Sequence, residues 1–398
     1  MLGVFWAFER GGNDFNVFYS AWKLVLAGKG SGIYGGTTDR YLYAPGFAWI
    51  LCPFGLLPRD LALATWCLLK ALCLGFVLRA LAMRLVAEGF SANHAWGAAG
   101  WGMIFVARPL LIDFQYGQVN AFILAACLGA FLTKRPWGWA WLTFAAIAKL
   151  FPLLLLVVPF SARGREWRSS RLAIIVVGFV VLLSPVLASG WAGARGLYQA
   201  WLAALVGRGF PLESHNQSFA AFLSHYFSGA ETPVIADHAH RQLLLFGPLS
   251  AVSIGWLSVA WSLLFGGLGL GWLMRVKPPI DSLRWVAISL AWIVIPLHLA
   301  WKPYFVMTYP LAVWAIAGLA IRVGPAGEAS AFRRAGAMVG IAIGFTAINL
   351  TGYDLLGHDW AGRLEAASLF LWVHLGLLFW SLSTPYDRVR GIAVDRVA

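Results

Sequence analysis

The chain has 398 residues, of which 60% are hydrophobic and only 12% charged, against about a quarter charged in an ordinary soluble domain. That balance excludes a soluble globular protein, whose interior is too small for so much apolar surface, and makes lipid the solvent. The formal net charge of +13 does not mark a nucleic-acid binder, because the basic residues sit in short loops between apolar runs and not along one polar face.

The 22 Trp residues fit two interfacial belts, where an amphipathic ring is well placed. Cys52, Cys67, Cys73 and Cys127 lie in apolar stretches without metal spacing and read as small buried hydrophobes. No repeat or linker marks a separate soluble domain, so residues 1–398 read as one integral membrane domain.

Taken in chain order, residues 1–8, "MLGVFWAF", are too short to span and too short for a signal peptide. The next segment, "DFNVFYSAWKLVLAG", carries Phe15, Phe18, Tyr19, Trp22 and Leu26 at helical spacing. It is predicted as a helix lying in the membrane interface with its apolar face toward lipid. Asp14 at its start is read either as an N-cap or as a general base at the water–lipid boundary.

Spanning helices, at about 20 apolar residues each, are predicted near 61–86, 94–111, 118–133, 171–189, 243–273, 284–300, 303–322, 335–351 and 367–383. Segment 137–160 is apolar but interrupted by Lys149 and Pro152. It is predicted as two short helices that enter and return, which makes eleven membrane helices.

The clusters Arg79/Arg84, Lys134/Arg135, Arg163/Arg165/Arg168/Arg171, Arg275/Lys277/Arg284, Arg322/Arg333/Arg334 and Arg388/Arg390/Arg396 then share one side. By the positive-inside rule that side is cytoplasmic, with the C-terminus inside. Residues 1–60 become a first external loop with interfacial helices, and 190–242 a large external loop. An exported first loop needs an anchor, so a further membrane helix is expected ahead of Met1.

Ionisable groups at membrane depth mark function by default. "RPLLIDFQYGQVN" carries Arg108, Asp113, Gln118 and Asn120 at the outer end of two predicted spans, as a polar loop with a cap or as a site. Lys149 sits between two apolar runs, where an ammonium suits an anionic phosphate. Asn216 and Ser218 precede an amphipathic stretch, with helix capping as the plain reading; Asn216-Gln217-Ser218 is also a weak glycosylation sequon. His298 and Lys302, four residues apart on one predicted helical face, read as interface anchors or as a phosphate clamp. Asp237, His238 and His240 form a small loop cluster that makes a poor metal site. The absence of a P-loop argues against ATP as energy source.

The order of "NDFNVFYSAWKLVLAGKGSGIY", "YLYAPGF" with "PFGLLP", "YGQVNAFILA", "AIAKLFPLLLL" and "HNQSFAAFL" resembles glycosyltransferase family 87. The likeness runs from about residue 9 to the WKPYF segment near 301. The family resemblance implies a GT-C fold and inverting transfer of a sugar, most familiarly mannose, from a polyprenyl phosphate to a hydroxyl on the extracytoplasmic face of the plasma membrane.

The same resemblance implies Asp14 as the catalytic base, a role compatible with capping. It implies Lys149 as a donor-phosphate residue, with Arg108, His298 and Lys302 as further candidates. Gln118, Asn120, Asn216 and Ser218 become sugar-binding or scaffold positions, and Tyr19, Tyr34 and Tyr43 candidates to stack on sugar or line the lipid groove. The expected partners are a membrane lipid-linked sugar donor and a lipid or glycan acceptor of the cell envelope. No cofactor beyond the lipid-linked donor is implied, no metal ligands are assigned, and a divalent-metal requirement stays open. A polytopic secondary transporter or lipid-linked sugar flippase is the competing reading; it predicts two halves with interrupted helices in matching positions, and no second copy of the Asp14 or Lys149 region is present.

Overall fold

The computed structural model describes residues 7–9, 12–35, 41–133, 135–206, 215–228, 232–234, 238–240, 248–275, 282–321 and 328–383. The predicted membrane helix ahead of Met1, Asp237, and the basic residues Lys134, Lys277, Arg322, Arg388, Arg390 and Arg396 lie outside them.

In chain order the helices are α1 (Asn13–Leu26), α2 (Pro45–Leu51), α3 (Arg59–Ala87), α4 (Ala92–Phe105), α5 (Ala107–Tyr116), α6 (Asn120–Thr133), α7 (Pro136–Ala148), α8 (Val157–Ser161) and α9 (Arg168–Val206). They continue with α10 (Phe219–Phe227), α11 (Ala251–Met274), α12 (Leu283–Trp292), α13 (Tyr309–Ile321), α14 (Glu328–Asn349), α15 (Tyr353–Ala366) and α16 (Leu369–Ser383). A short antiparallel ribbon, β1 (Thr232–Val234) and β2 (His238–His240), pairs Thr232 with His240.

Among the described residues three helices are long and apolar enough to cross a membrane, in Arg59–Ala87, Arg165–Val206 and Ala251–Met274, and five if each of two bent helix pairs is one span. Shorter apolar helices occupy several other segments of the predicted eleven-helix layout, among them Asn120–Thr133 and Leu283–Trp292. Apart from that short ribbon the described residues build helices, those of a membrane protein, as the composition requires.

Prolines and left-handed residues account for several departures from the predicted spans. The straight helix expected over 94–111 breaks after Phe105, and α4 and α5 meet at 60°. Pro109 supplies no N–H for the carbonyl of Phe105 and disfavours helical geometry in the residue before it. α15 and α16 bend by 46° at Ser368, which adopts a left-handed φ of 54°.

Helix α9 outruns its predicted 171–189 span. It breaks at Gly190, whose φ of 69° only glycine adopts readily. The Tyr198 hydroxyl then donates to the Leu182 carbonyl at 2.6 Å, so the following segment packs back on the one before. In 137–160, α7 ends where Lys149 turns extended, and a 3-10 turn over Phe151–Leu156 folds against α7.

The chain clusters into two compact units: Met1–Phe76 with Leu110–Gly209, and Val77–Pro109 with Phe210–Ala398. In the first unit the aromatic face of α1 meets protein where lipid was expected. Phe15, Phe18 and Trp22 are fully buried. Phe18 meets the Phe47 ring edge-on at 5.8 Å, Trp22 lies 5.5 Å from Phe54, and both contact Trp66. Each such side chain contributes about 2–3 kcal/mol by leaving water, which fixes the start of α1 within the unit. In the second unit α13 is the central helix, packing on α4, α12 and α16, with Tyr309 donating to the Ala99 carbonyl at 2.8 Å.

Candidate functional site

The first unit builds its polar cluster on the turn between α5 and α6. Gly117 takes a left-handed φ of 69°. Its N–H donates to the Phe114 carbonyl at 3.0 Å and that of Gln118 to the Asp113 carbonyl at 2.9 Å. This glycine-closed helix end satisfies the last carbonyls of α5. A side chain at 117 would bring a Cβ to 2.5 Å from that of Phe15, so the turn and α1 are pressed together. The Trp66 indole donates to the Gly117 carbonyl at 2.9 Å.

The Asp113 carboxylate then accepts from both the Asn120 backbone N–H at 3.1 Å and the Asn120 side-chain amide at 3.0 Å. It thereby caps the start of α6 across the turn. The Asn120 oxygen faces the other way and accepts from the Lys149 ammonium at 3.0 Å, while the Gln118 oxygen accepts from the same ammonium at 2.9 Å. Gln118 turns its amide N–H to the carboxylate of Asp14.

The two amides are buried, whereas Asp14 and Lys149 are half-buried. A carboxylate and an ammonium are thus tied together through one carboxamide and both keep surface to offer a ligand. That arrangement can accept a proton at one end and face an anion at the other.

Asp14 is not the cap of α1. That position is Gly12, in left-handed geometry and without a side-chain cap bond. The capping alternative drops out because Asp14 is the second residue of the helix, and its carboxylate accepts from Gln118.

Tyr19 and Tyr34 donate to backbone, Tyr19 to Leu57 at 2.8 Å and Tyr34 to Tyr43 at 2.7 Å. Tyr43 stacks on Phe47 with ring centroids 5.2 Å apart. All three are half-buried edges of the aromatic core behind Asp14.

Lys70 escaped the sequence reading altogether. It sits inside α3 with no exposed surface and pairs with Asp113 at 2.7 Å. An ionisable residue in the middle of a predicted span was the available signal.

The remaining candidates lie in the second unit. Arg108 donates to Glu365 at 2.7 Å and to Thr351 at 2.9 Å, and its backbone N–H donates to Asn349 at 3.0 Å. Lys302 forms an ion pair with the same Glu365 carboxylate, and Tyr353 donates to its other oxygen at 2.8 Å. Glu365 is 1% exposed, so two of the four predicted phosphate-binding cations share one buried counter-ion.

The Lys302 ammonium also meets His215 Nδ1 at 3.0 Å. Burial, with the Lys302 cation next, pushes the His215 imidazole down to about 4. It is therefore neutral at pH 7 and accepts from Lys302 through Nδ1.

His298 and Lys302 do not share a helical face. α12 ends at Trp292 and Lys302 begins a 3-10 turn over Lys302–Thr308. Pro296 lacks the N–H that would bond the Trp292 carbonyl and so stops α12, and Pro303 disfavours α-helical geometry at Lys302 before it; His298 is exposed and Lys302 buried. The clamp expected from their spacing is absent.

Asn216 donates to the His298 carbonyl at 3.2 Å and accepts from the Ala300 N–H at 3.0 Å. Ser218 donates to the same His298 carbonyl at 2.8 Å and caps α10 by accepting from Ala221 at 3.1 Å. These bonds are those of scaffold and cap. Asn216 is 1% exposed, which hides the sequon's acceptor nitrogen.

Apolar helices able to cross a bilayer and a carboxylate–amide–ammonium cluster in the first unit define a helical membrane protein with a polar site. Residues 41–240, half of the chain, match the model of glycosyltransferase family 87. The chain belongs to that family and is a membrane glycosyltransferase. No curated protein and no solved structure matches it. Gln118, Asn120 and Lys149 fall inside the matched stretch, whereas Asp14 precedes it. Family membership disfavours the transporter and flippase reading.

Proposed function

We propose that the protein is an inverting glycosyltransferase, of GT-C architecture, that moves a sugar, mannose in the first instance, from a polyprenyl phosphate to a hydroxyl of a lipid or glycan acceptor at the extracytoplasmic face of the membrane. The observation that carries this reading is the Asp14–Gln118–Lys149 connection.

In the proposed step the acceptor hydroxyl loses its proton to the Asp14 carboxylate as its oxygen bonds to the anomeric carbon. The bond from that carbon to the phosphate oxygen breaks on the opposite face, which inverts the anomeric centre. The electron pair leaves with the lipid phosphate, whose growing charge Lys149 faces. The Gln118 amide gives its N–H to the base and its oxygen to the cation, holding both before substrate arrives. Asn120 holds Lys149 from its second side. The phosphate role is assigned to Lys149, because Arg108 and Lys302 are already committed to Glu365.

The test is sugar transfer in membranes carrying the protein, offered a panel of polyprenyl-phosphate sugars. Transfer with an inverted product from at least one donor, lost in Asp14→Asn, supports the reading. Transfer from a sugar nucleotide instead, or full activity in Asp14→Asn, overturns it.

A further inference from the structure

The polar cluster continues beyond the groups that would meet substrate. From Asp14 the order is carboxylate, Gln118 amide, Lys149 ammonium, Asn120 amide, Asp113 carboxylate and Lys70 ammonium. Charges alternate along the row and each pair up to Asp113 is bridged by a carboxamide. Asp113 and Lys70 have no exposed surface.

A carboxamide has nearly the same shape after its oxygen and nitrogen exchange, so its orientation is set by what it faces. Asn120 faces an ammonium on one side and a carboxylate on the other. Only one orientation then satisfies both, with the oxygen on Lys149 and the N–H on Asp113. Gln118 follows the same logic between Lys149 and Asp14.

The buried ammonium at the end of the row supports this arrangement. A carboxylate buried alone in apolar surroundings takes up a proton rather than stay charged. Lys70 lies 2.7 Å from the Asp113 carboxylate, donates to the Asp113 backbone carbonyl at 2.6 Å, and rests 4.5 Å over the Phe114 ring. It supplies the counter-charge beside Asp113 and fixes the helix end from which the turn departs.

Stability alone is a weak reason for such a pair, since apolar residues of similar volume often replace a buried ion pair at no cost. We propose that Lys70 and Asp113 are positioning residues: the pair fixes the Asn120 amide, which orients Lys149, and through Gln118 sets the carboxylate of Asp14. This rests on the reading of Asp14 as base and Lys149 as phosphate partner. Neither Lys70 nor Asp113 touches substrate in it.

The test is the Lys70→Met/Asp113→Asn double variant of the full chain, which removes both buried charges and keeps the side chains' bulk. Folding is followed by thermal unfolding, and activity by kcat, KM and the pH–rate profile. The expected result is a folded protein whose kcat falls about 100-fold, the scale of a displacement of about 1 Å in a reacting group, with a smaller change in KM. The acidic limb of the profile moves to higher pH, because Asp14 loses a fixed N–H that favours its ionised form. Lys70→Arg, which keeps the charge, retains most of kcat. A folded double variant with full kcat and an unmoved profile makes the pair structural only and overturns the proposal.

An infrared titration reads the same point without substrate. The carboxyl signal lost in Asp14→Asn is expected to protonate at higher pH in the double variant than in the wild type. An unmoved signal overturns the positioning role. If the double variant does not fold, Asp113→Asn alone is held to the same two shifts. A wild type inactive with every donor defeats the proposed function, while the infrared comparison still decides the positioning.

Discussion

Replacing Glu365 by Gln isolates the chemistry of the second unit. The Glu365 carboxylate carries the Arg108 guanidinium at 2.7 Å, the Lys302 ammonium and the Tyr353 hydroxyl at 2.8 Å. Its side chain is 1% exposed, and those of Arg108 and Lys302 are 14% and 4% exposed, so water screens the group little. A glutamine of the same shape keeps some hydrogen bonding but leaves two cations facing each other without their counter-charge. Removing one partner of a buried pair costs about 3–5 kcal/mol. At about 2–4 °C per kcal/mol for a unit of this size, the midpoint of thermal unfolding should fall by about 10 °C. The assay is tryptophan fluorescence on detergent-solubilised protein heated alongside wild type. Adding Lys302→Met to Glu365→Gln removes one of the opposed cations and should recover part of the loss. A single variant that melts within about 1 °C of wild type refutes the shared counter-ion as a staple of this unit.

Three further outcomes follow from the same geometry. Gly117→Ala forces a side chain into left-handed backbone and to 2.5 Å from the Phe15 Cβ; a lower melting midpoint by at least about 1 kcal/mol equivalent and reduced transfer are expected, and wild-type behaviour in both contradicts the packing of α1 on the turn. Lys149→Ala takes the shared donor from Gln118 and Asn120 and should raise the KM for the lipid-linked donor more than for the acceptor; unchanged donor kinetics remove it from the phosphate site. His215 has its imidazole lowered from 6.5 to about 4 in the fold, so between those values the unfolded chain binds the proton first and folded stability falls as pH drops; His215→Asn should flatten that part of the stability–pH curve, and an identical curve refutes it.

The sequence is most readable where chemistry is local. Apolar runs announce α3 and α11, and "GQVN" announces a polar turn at a helix start. The cluster of Asp14, Gln118, Asn120 and Lys149 is legible only as a shared address, since Asp14 and Gln118 lie 104 positions apart. Two determinants were hidden for the same reason. Lys70 meets Asp113 across 43 positions and Arg108 meets Glu365 across 257, and no periodicity reports a partner that distant.

Helical spacing also misled where proline intervened. His298 and Lys302 look like neighbours only if the helix predicted over 284–300 ran on through Lys302, and α12 stops at Trp292. The spacing of Phe15, Phe18 and Trp22 announces one apolar face, with Leu26 of the same stripe left 40% exposed, but an apolar face does not say whether protein or lipid will cover it. Here Phe47, Phe54 and Trp66 cover it.

The central claim is that Asp14 removes the acceptor's proton. The most direct measurement compares wild type with Asp14→Asn in membranes, with a polyprenyl-phosphate sugar donor and fluorescence-matched amounts of folded protein. Asparagine keeps the shape and can still meet Gln118, but it cannot serve as the base. The account predicts a fall in transfer of at least about 100-fold with donor binding retained; transfer at the wild-type rate contradicts it.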